Sequence, residues 1–144
     1  MSSTPVSRKV IREAIAAGLS VGVTSAQAVY SYAAADFDGQ SPVVRVSSSS
    51  SERPQLTAAG IRSMMRFTVD VWVLLSDRDG WNEQDAEDTL DTVEHEIITW
   101  MVGNQNTDNW TSLQYDAPTT TFPAIIGGDT WLVEEITVRA EVYG

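Results

Sequence analysis

The chain has no cysteine, a single histidine, and no apolar run near the roughly 20 residues that a membrane-spanning helix needs. The lack of cysteine excludes disulfide staples, thiolate metal ligands and thiol nucleophiles together. Basic side chains are scarce, with 9 Lys and Arg against 20 Asp and Glu, giving a formal net charge of −11. A surface with that balance repels nucleic acid and anionic lipid, which argues against conventional DNA binding and against a membrane partner. Such a wall does let a polyanion slide past without sticking. A Walker loop, a dinucleotide fingerprint and a nucleophile elbow are also missing, and Gly127-Gly128 is too short and too strand-flanked to cradle phosphate. The polar opening Met1-Ser2-Ser3-Thr4-Pro5 precedes no signal-peptide core, so a cytoplasmic protein is expected.

What remains is a chain of 144 residues, 42% hydrophobic and 20% charged, which suits one ordinary domain spanning residues 1–144. An amphipathic helix is expected from about Ser7 to Leu19, with Ser7 or Thr4-Pro5 as start signals and Gly18 or Gly22 as stops. Its apolar stripe is Val10, Ile11, Ala14 and Ile15. Strands around Ala28 to Ala33 and Pro42 to Ser47 flank the Asp38-Gly39 turn signal and are candidates to pair as neighbours. The serine tract Ser47 to Ser51, with Pro54 close behind, predicts a mobile loop around residues 47–61. From Arg66 to Leu75 the alternation of Phe67, Val69, Val71, Val73 and Leu75 predicts a central strand. Trp72 and Leu74 on its second face call for cover from a helix or from another subunit.

After a turn at Asp77-Arg78-Asp79-Gly80, a second helix is expected from Asn82 to Val102, with Leu90, Val93 and Ile97 facing the sheet. Its outer surface is dense in acid at Glu83, Glu87, Asp88, Asp91 and Glu94. The last third reads as strands at Trp110 to Tyr115, Phe122 to Ile126 and Thr130 to Tyr143, the prolines at 118 and 123 marking an edge or loop. The fold class is therefore α/β in the α+β sense, a mixed central sheet with two main helices packed on it.

No catalytic, cofactor-binding or metal-ligating set emerges, and an enzyme is not expected. His95 lies between Glu94 and Glu96 without an advertised catalytic partner. Asp77 and Asp79 precede Gly80 too closely for a calcium loop. The carboxylate pairs Asp36 with Asp38 and Glu134 with Glu135 match a glycosidase only in number, since 20 acids make such pairs common.

The order of elements, with Ile11-Arg12-Glu13-Ala14-Ile15 in the first helix, the Phe67 to Leu75 strand, the helix from Ala86 to Met101 and a closing hairpin, resembles the tail-terminator family of long-tailed bacteriophages. The resemblance covers nearly the whole chain and carries no diagnostic motif. It implies a hexameric ring of identical subunits that caps the head-proximal end of the tail tube, stops polymerisation and offers the surface for head joining. Implied partners are further copies of the chain, the tail tube protein and the head–tail connector protein, with DNA passing nearby unbound. The implied location is the host cytoplasm during assembly and then the virion tail. A connector adaptor of the neck and an acidic DNA mimic are the alternatives.

Ring closure by rotation needs two different patches that meet across subunits. The expected interface residues are Arg8, Arg12, Arg53, Trp72, Trp131, Val133 and Arg139, the closing strand from Val133 to Val142 serving as a free edge. Arg8 and Arg12 sit at a helix start where the macrodipole gives them no help, which fits either a partner contact or a solvated face. The acidic helix face lines either a lumen or outer solvent.

Overall fold

A computed structural model describes residues 5–57, 60–75, 83–116, 118–126 and 128–143. Helix α1 is Arg8–Gly22. The Ser7 side chain caps it by accepting from the Lys9 N–H at 3.2 Å. Its buried stripe is Ile11, Ile15, Ala16 and Leu19, so the expected stripe shifts by part of a turn and leaves Val10 exposed. Gly18 is no stop, because the helix runs through it. A Cβ there would come 2.1 Å from Cζ2 of Trp100, so glycine is what allows the second helix to approach. Gly18→Ala is expected to cost about 1–3 kcal/mol through overpacking, read as a lower urea midpoint with an unchanged slope.

Strands β1 (Ala28–Tyr30), β2 (Val43–Thr57) and β3 (Gly60–Leu75) come next, followed by α2 (Glu83–Gly103), β4 (Ser112–Tyr115), β5 (Thr120–Ile126) and β6 (Asp129–Tyr143). They build a six-stranded mixed sheet in the order β1-β2-β3-β6, with β4 and β5 end to end along the far side of β6. β1 and β2 do pair, but in parallel. The turn at Asp38 and Gly39, both at positive φ, therefore belongs to a crossover and not to a hairpin. The signals at Asp77 to Gly80 and Asn82 lie outside the described residues.

Two expectations are corrected. Residues 47–57 are strand, not loop: β2 stays paired with β3 as far as Thr57 and Gly60. Serine and proline disfavour a strand taken alone, but the ladder is set by β3, whose Met65, Phe67 and Val69 are committed to the core. The misfit is absorbed by two register shifts, between Ser48 and Ser50 and between Glu52 and Gln55, the latter holding Pro54 where the ladder needs no donor. β6 is likewise not an edge, since β3 pairs with one side of it and β4 and β5 with the other.

Both helices pack on one face of the sheet. Ile11, Ile15 and Leu19 of α1 and Leu90, Val93 and Ile97 of α2 meet Phe67, Val69, Val71, Ile136 and Val138. The other face carries a smaller core, in which Ala34 and Phe37 from the β1–β2 connection lie on Val43, Trp72, Trp131 and Val133. Trp72 is 8% exposed, Trp131 6% and Val133 0%, so these three are interior residues of this chain and leave the list of interface residues. Alternation along β3 and β6 puts both apolar rows on a sheet covered from two sides, which is why they looked like spare contact surface in sequence.

Candidate self-association interface

The two open sides of the sheet differ in charge. On the first, β1 covers β2 only over Val43 to Arg45, and no strand among the described residues pairs with the outer edge of β2 beyond that point. α1 lies above this edge. The Arg12 guanidinium donates to the Ser48 hydroxyl at 3.1 Å. Arg53 donates to the Ser63 hydroxyl at 2.9 Å and to the Val6 carbonyl at 3.1 Å, fastening the chain before α1 to the β2–β3 hairpin. Arg8 is exposed one turn before Arg12. None of the three forms an ion pair among the described residues, which is notable where acids outnumber bases by more than two to one.

The second open side is the outer edge of β4 and β5. β5 holds no charged residue, and its Ile125 is 74% exposed, so it lacks the charged side chains that normally protect an edge from pairing. Above it, Glu87, Asp91 and Glu94 share one face of α2 at helical spacing. The Tyr115 hydroxyl donates to Glu94 at 3.1 Å, and burial followed by the Glu94 charge raises the Tyr115 pKa. Glu94, Tyr115, Asp116, Pro118 and Thr119 line a shallow cleft of about 500 Å³. Beneath α2, Glu134 is 7% exposed; its pKa is raised by burial, and by Glu94 and Asp91, against the opposing hydrogen bond to Thr119.

The predicted acids thus divide. Asp88 faces the other way, lining a groove with Ser25, Gln27 and Ser41. Glu96 accepts from the Ser25 N–H and hydroxyl, both at 3.0 Å, which ties α2 to the turn after α1. Arg139 is held within the chain by Asp116 and Gln114, both at 3.3 Å. It belongs to a cross-strand lattice on the face away from the helices, where Arg66 also grips Glu52 and Asp116, each at 2.7 Å. In the same lattice Glu141 accepts from Tyr143 and Arg62, which lowers its pKa.

The remaining candidates do not converge on a reaction centre. Glu134 and Glu135 point to opposite faces of β6, one buried under α2 and the other exposed. Asp36 accepts from the Asp38 N–H at 3.0 Å and so shapes its own turn. His95 is exposed beside Trp100 and Gly22. Among the described residues no group of three or more His, Asp or Glu could hold a metal ion, and no helix is long and apolar enough to cross a membrane. No protein-family model matches the sequence, and no curated protein matches it.

The Glu134–Thr119–Tyr115 seam escaped sequence reading because its members are separated along the chain and only the β4–β6–β5 arrangement brings them under α2. A lone acid among the apolar alternating residues of β6 was the available signal: Glu134 shares a face with Leu132, Ile136 and Val138.

Proposed function

We propose that the chain is a structural protein that assembles edge to edge with copies of itself into a ring, in the manner of a phage tail terminator. One observation carries this reading: Arg8, Arg12 and Arg53, which form no ion pair among the described residues, border one open side of the sheet, and the acids Glu87, Asp91 and Glu94 border the other. Two different, complementary patches on opposite sides of a subunit make a head-to-tail contact, which closes into a ring when the rotation allows. At −11 per copy, subunits repel through most of their surface, so contact is favoured where cations face acids and uncharged edge strands can add to a ladder. The resemblance in element order supplies the rest of the proposal. The ring, a hexamer in that family, would dock on the tail tube protein, end its polymerisation and present its free face to the head–tail connector protein while DNA passes through unbound.

Charge exchange tests the contact. Arg8→Glu with Arg12→Glu makes one side acidic, and Glu87→Lys with Asp91→Lys makes the other basic. Like-charge contacts cost several kcal/mol, so each double variant alone is expected to self-associate more than about 100-fold more weakly than the wild type by light scattering. Mixed in equal amounts, the two variants restore opposite charges at every alternating contact and are expected to recover assembly. Variants that assemble alone, or a mixture that stays monomeric, would reject this contact. Electron microscopy of the wild type with polymerising tail tubes tests the terminator role separately. Rings at one tube end and shortened growth support it, whereas unchanged tubes point to a connector adaptor if rings form and to a DNA mimic if the protein stays monomeric.

A further inference from the structure

We infer that Arg12 of one copy seats on the Tyr115–Glu94 pair of the next, so that a single row of the sheet sets how neighbouring copies align. The inference rests on the self-association proposed above and specifies its register. Ser48 pairs with Phe67, Phe67 with Val138, and Val138 with Tyr115, so these four residues form one row across β2, β3, β6 and β4. Phe67 and Val138 lie in the core under the helices, which places the row on the helix side. Both ends of the row are open, since no strand among the described residues covers β2 at Ser48 or the outer side of β4. At one end, Arg12 of α1 donates to the Ser48 hydroxyl at 3.1 Å. At the other, Glu94 of α2 accepts from the Tyr115 hydroxyl, also at 3.1 Å. A cation and a carboxylate thus stand over opposite ends of the same row.

Each of the two charges is met within the chain only by a neutral hydroxyl. Nε of Arg12 is buried without an acceptor, and neither Arg12 nor Glu94 forms an ion pair among the described residues. They cannot meet within one copy, because three strand spacings, about 14 Å, separate the ends of the row. A second copy set beside the first in the same orientation brings them together. There the half-buried Glu94 gains a charge-assisted bond on top of the one from Tyr115.

The strands suit such a joint. β4 and β3 are both antiparallel to β6, and β2 is antiparallel to β3, so β4 runs antiparallel to β2 and the two edges that meet are antiparallel as well. β4 holds no charged residue, and the serine tract from Ser47 to Ser51 offers small uncharged side chains along the facing edge, which lets the two approach. The register shift between Ser48 and Ser50 interrupts backbone pairing beyond that point. The alignment is therefore fixed by the Arg12 to Glu94 contact and not by a long ladder.

Lys9 is the only lysine in the chain, so the variant Lys9→Arg with Arg12→Lys carries its one side-chain amine at position 12. Unlabelled and nitrogen-15-labelled protein are mixed in equal amounts and treated with a carbodiimide, which joins an amine directly to a carboxylate with loss of water. Mass spectrometry of the digest is expected to show position 12 of one copy linked to Glu94 of another. Links between copies that run from position 12 only to other carboxylates overturn this register and leave the self-association reading standing. Wild-type protein that stays monomeric in light scattering overturns both. Charge reversal gives a second reading. Arg12→Glu alone is expected to weaken self-association at least about tenfold, and Arg12→Glu with Glu94→Arg in the same chain, which reverses the pair at every contact, is expected to return it to within about threefold of the wild type. A double variant no stronger than the single one overturns the register as well.

Discussion

Asp70→Ala is expected to destabilise the protein by about 3–5 kcal/mol, a large part of the 5–15 kcal/mol that holds a typical domain folded. Asp70 is 3% exposed and stands directly opposite Arg45 across the β2–β3 ladder. One of its oxygens accepts from both Nε and Nη2 of Arg45, the former at 2.9 Å, and from Nε1 of Trp72 at 2.8 Å. Arg45 is further committed. Its Nη1 donates to the Ala34 carbonyl at 2.7 Å, and its guanidinium lies 4.8 Å from the Trp72 ring centroid and 5.9 Å from that of Phe37.

Removing the carboxylate leaves a cation trapped between aromatic rings and an indole N–H without an acceptor. Each is costly away from water. The loss should appear as a lower urea midpoint and quenched packing of Trp72 in near-ultraviolet circular dichroism. The double variant Arg45→Met, Asp70→Leu is expected to recover most of that stability, because apolar groups of similar volume avoid the desolvation cost that the pair must offset. A double variant as unstable as Asp70→Ala would show instead that the pair is a net source of stability. Surface pairs are a different matter. Lys9 and Glu13, 3.8 Å apart with side chains 72% and 50% exposed, should contribute less than about 1 kcal/mol.

Phe67→Ala is expected to cost a similar amount, about 3–5 kcal/mol, for an unrelated reason. Phe67 is 0% exposed, lies midway along β3 between Ser48 and Val138, and faces the core shared by both helices. Truncation forfeits the transfer of the ring from water and leaves a void that neighbours on three elements fill only partly. The check is chemical denaturation, with the exposed Ile125→Ala as a control that should stay within about 0.5 kcal/mol of the wild type. The two losses should also differ in kind, since no compensating second substitution is expected for Phe67→Ala short of repacking the cavity.

The parts of this molecule that were legible in sequence are those where one residue pattern has one physical solution. Period-2 alternation from Phe67 to Leu75 fixed a strand with a core face, and Leu90, Val93 and Ile97 fixed the buried side of α2. Ser7 marked the start of α1 because a hydroxyl there satisfies an N–H that the helix leaves free. Basic residues at the start of α1 could be placed as well. Their placement in an acidic chain, at a helix start that gives cations no advantage, set Arg8 and Arg12 apart.

The serine tract misled because strand formation in residues 47–57 depends on pairing with β3, the strand that follows. Ser51 pairs with Met65 and Thr57 with Gly60, and local side-chain preferences yield to that ladder. Trp72, Trp131 and Val133 misled in the reverse sense. Their sequence spacing shows that they face away from the helices, but not that Phe37 folds over to cover them. Of the two glycines read as candidate helix stops, Gly22 does end α1, and only the position of Trp100 reveals that Gly18 serves close packing instead.

Sequence by itself determined the α+β class, the two amphipathic helices, the central strand and the excess of acid, because each depends on periodicity or composition within a short stretch. Tertiary structure alone decided which strands are edges, which aromatic residues are interior, and that three arginines without an ion pair among the described residues and an acidic stripe end on opposite sides of one sheet. It also decided that Glu134 is buried on the helix-facing side of β6. Those features are relations between separate elements, and pairing order, not local preference, sets them.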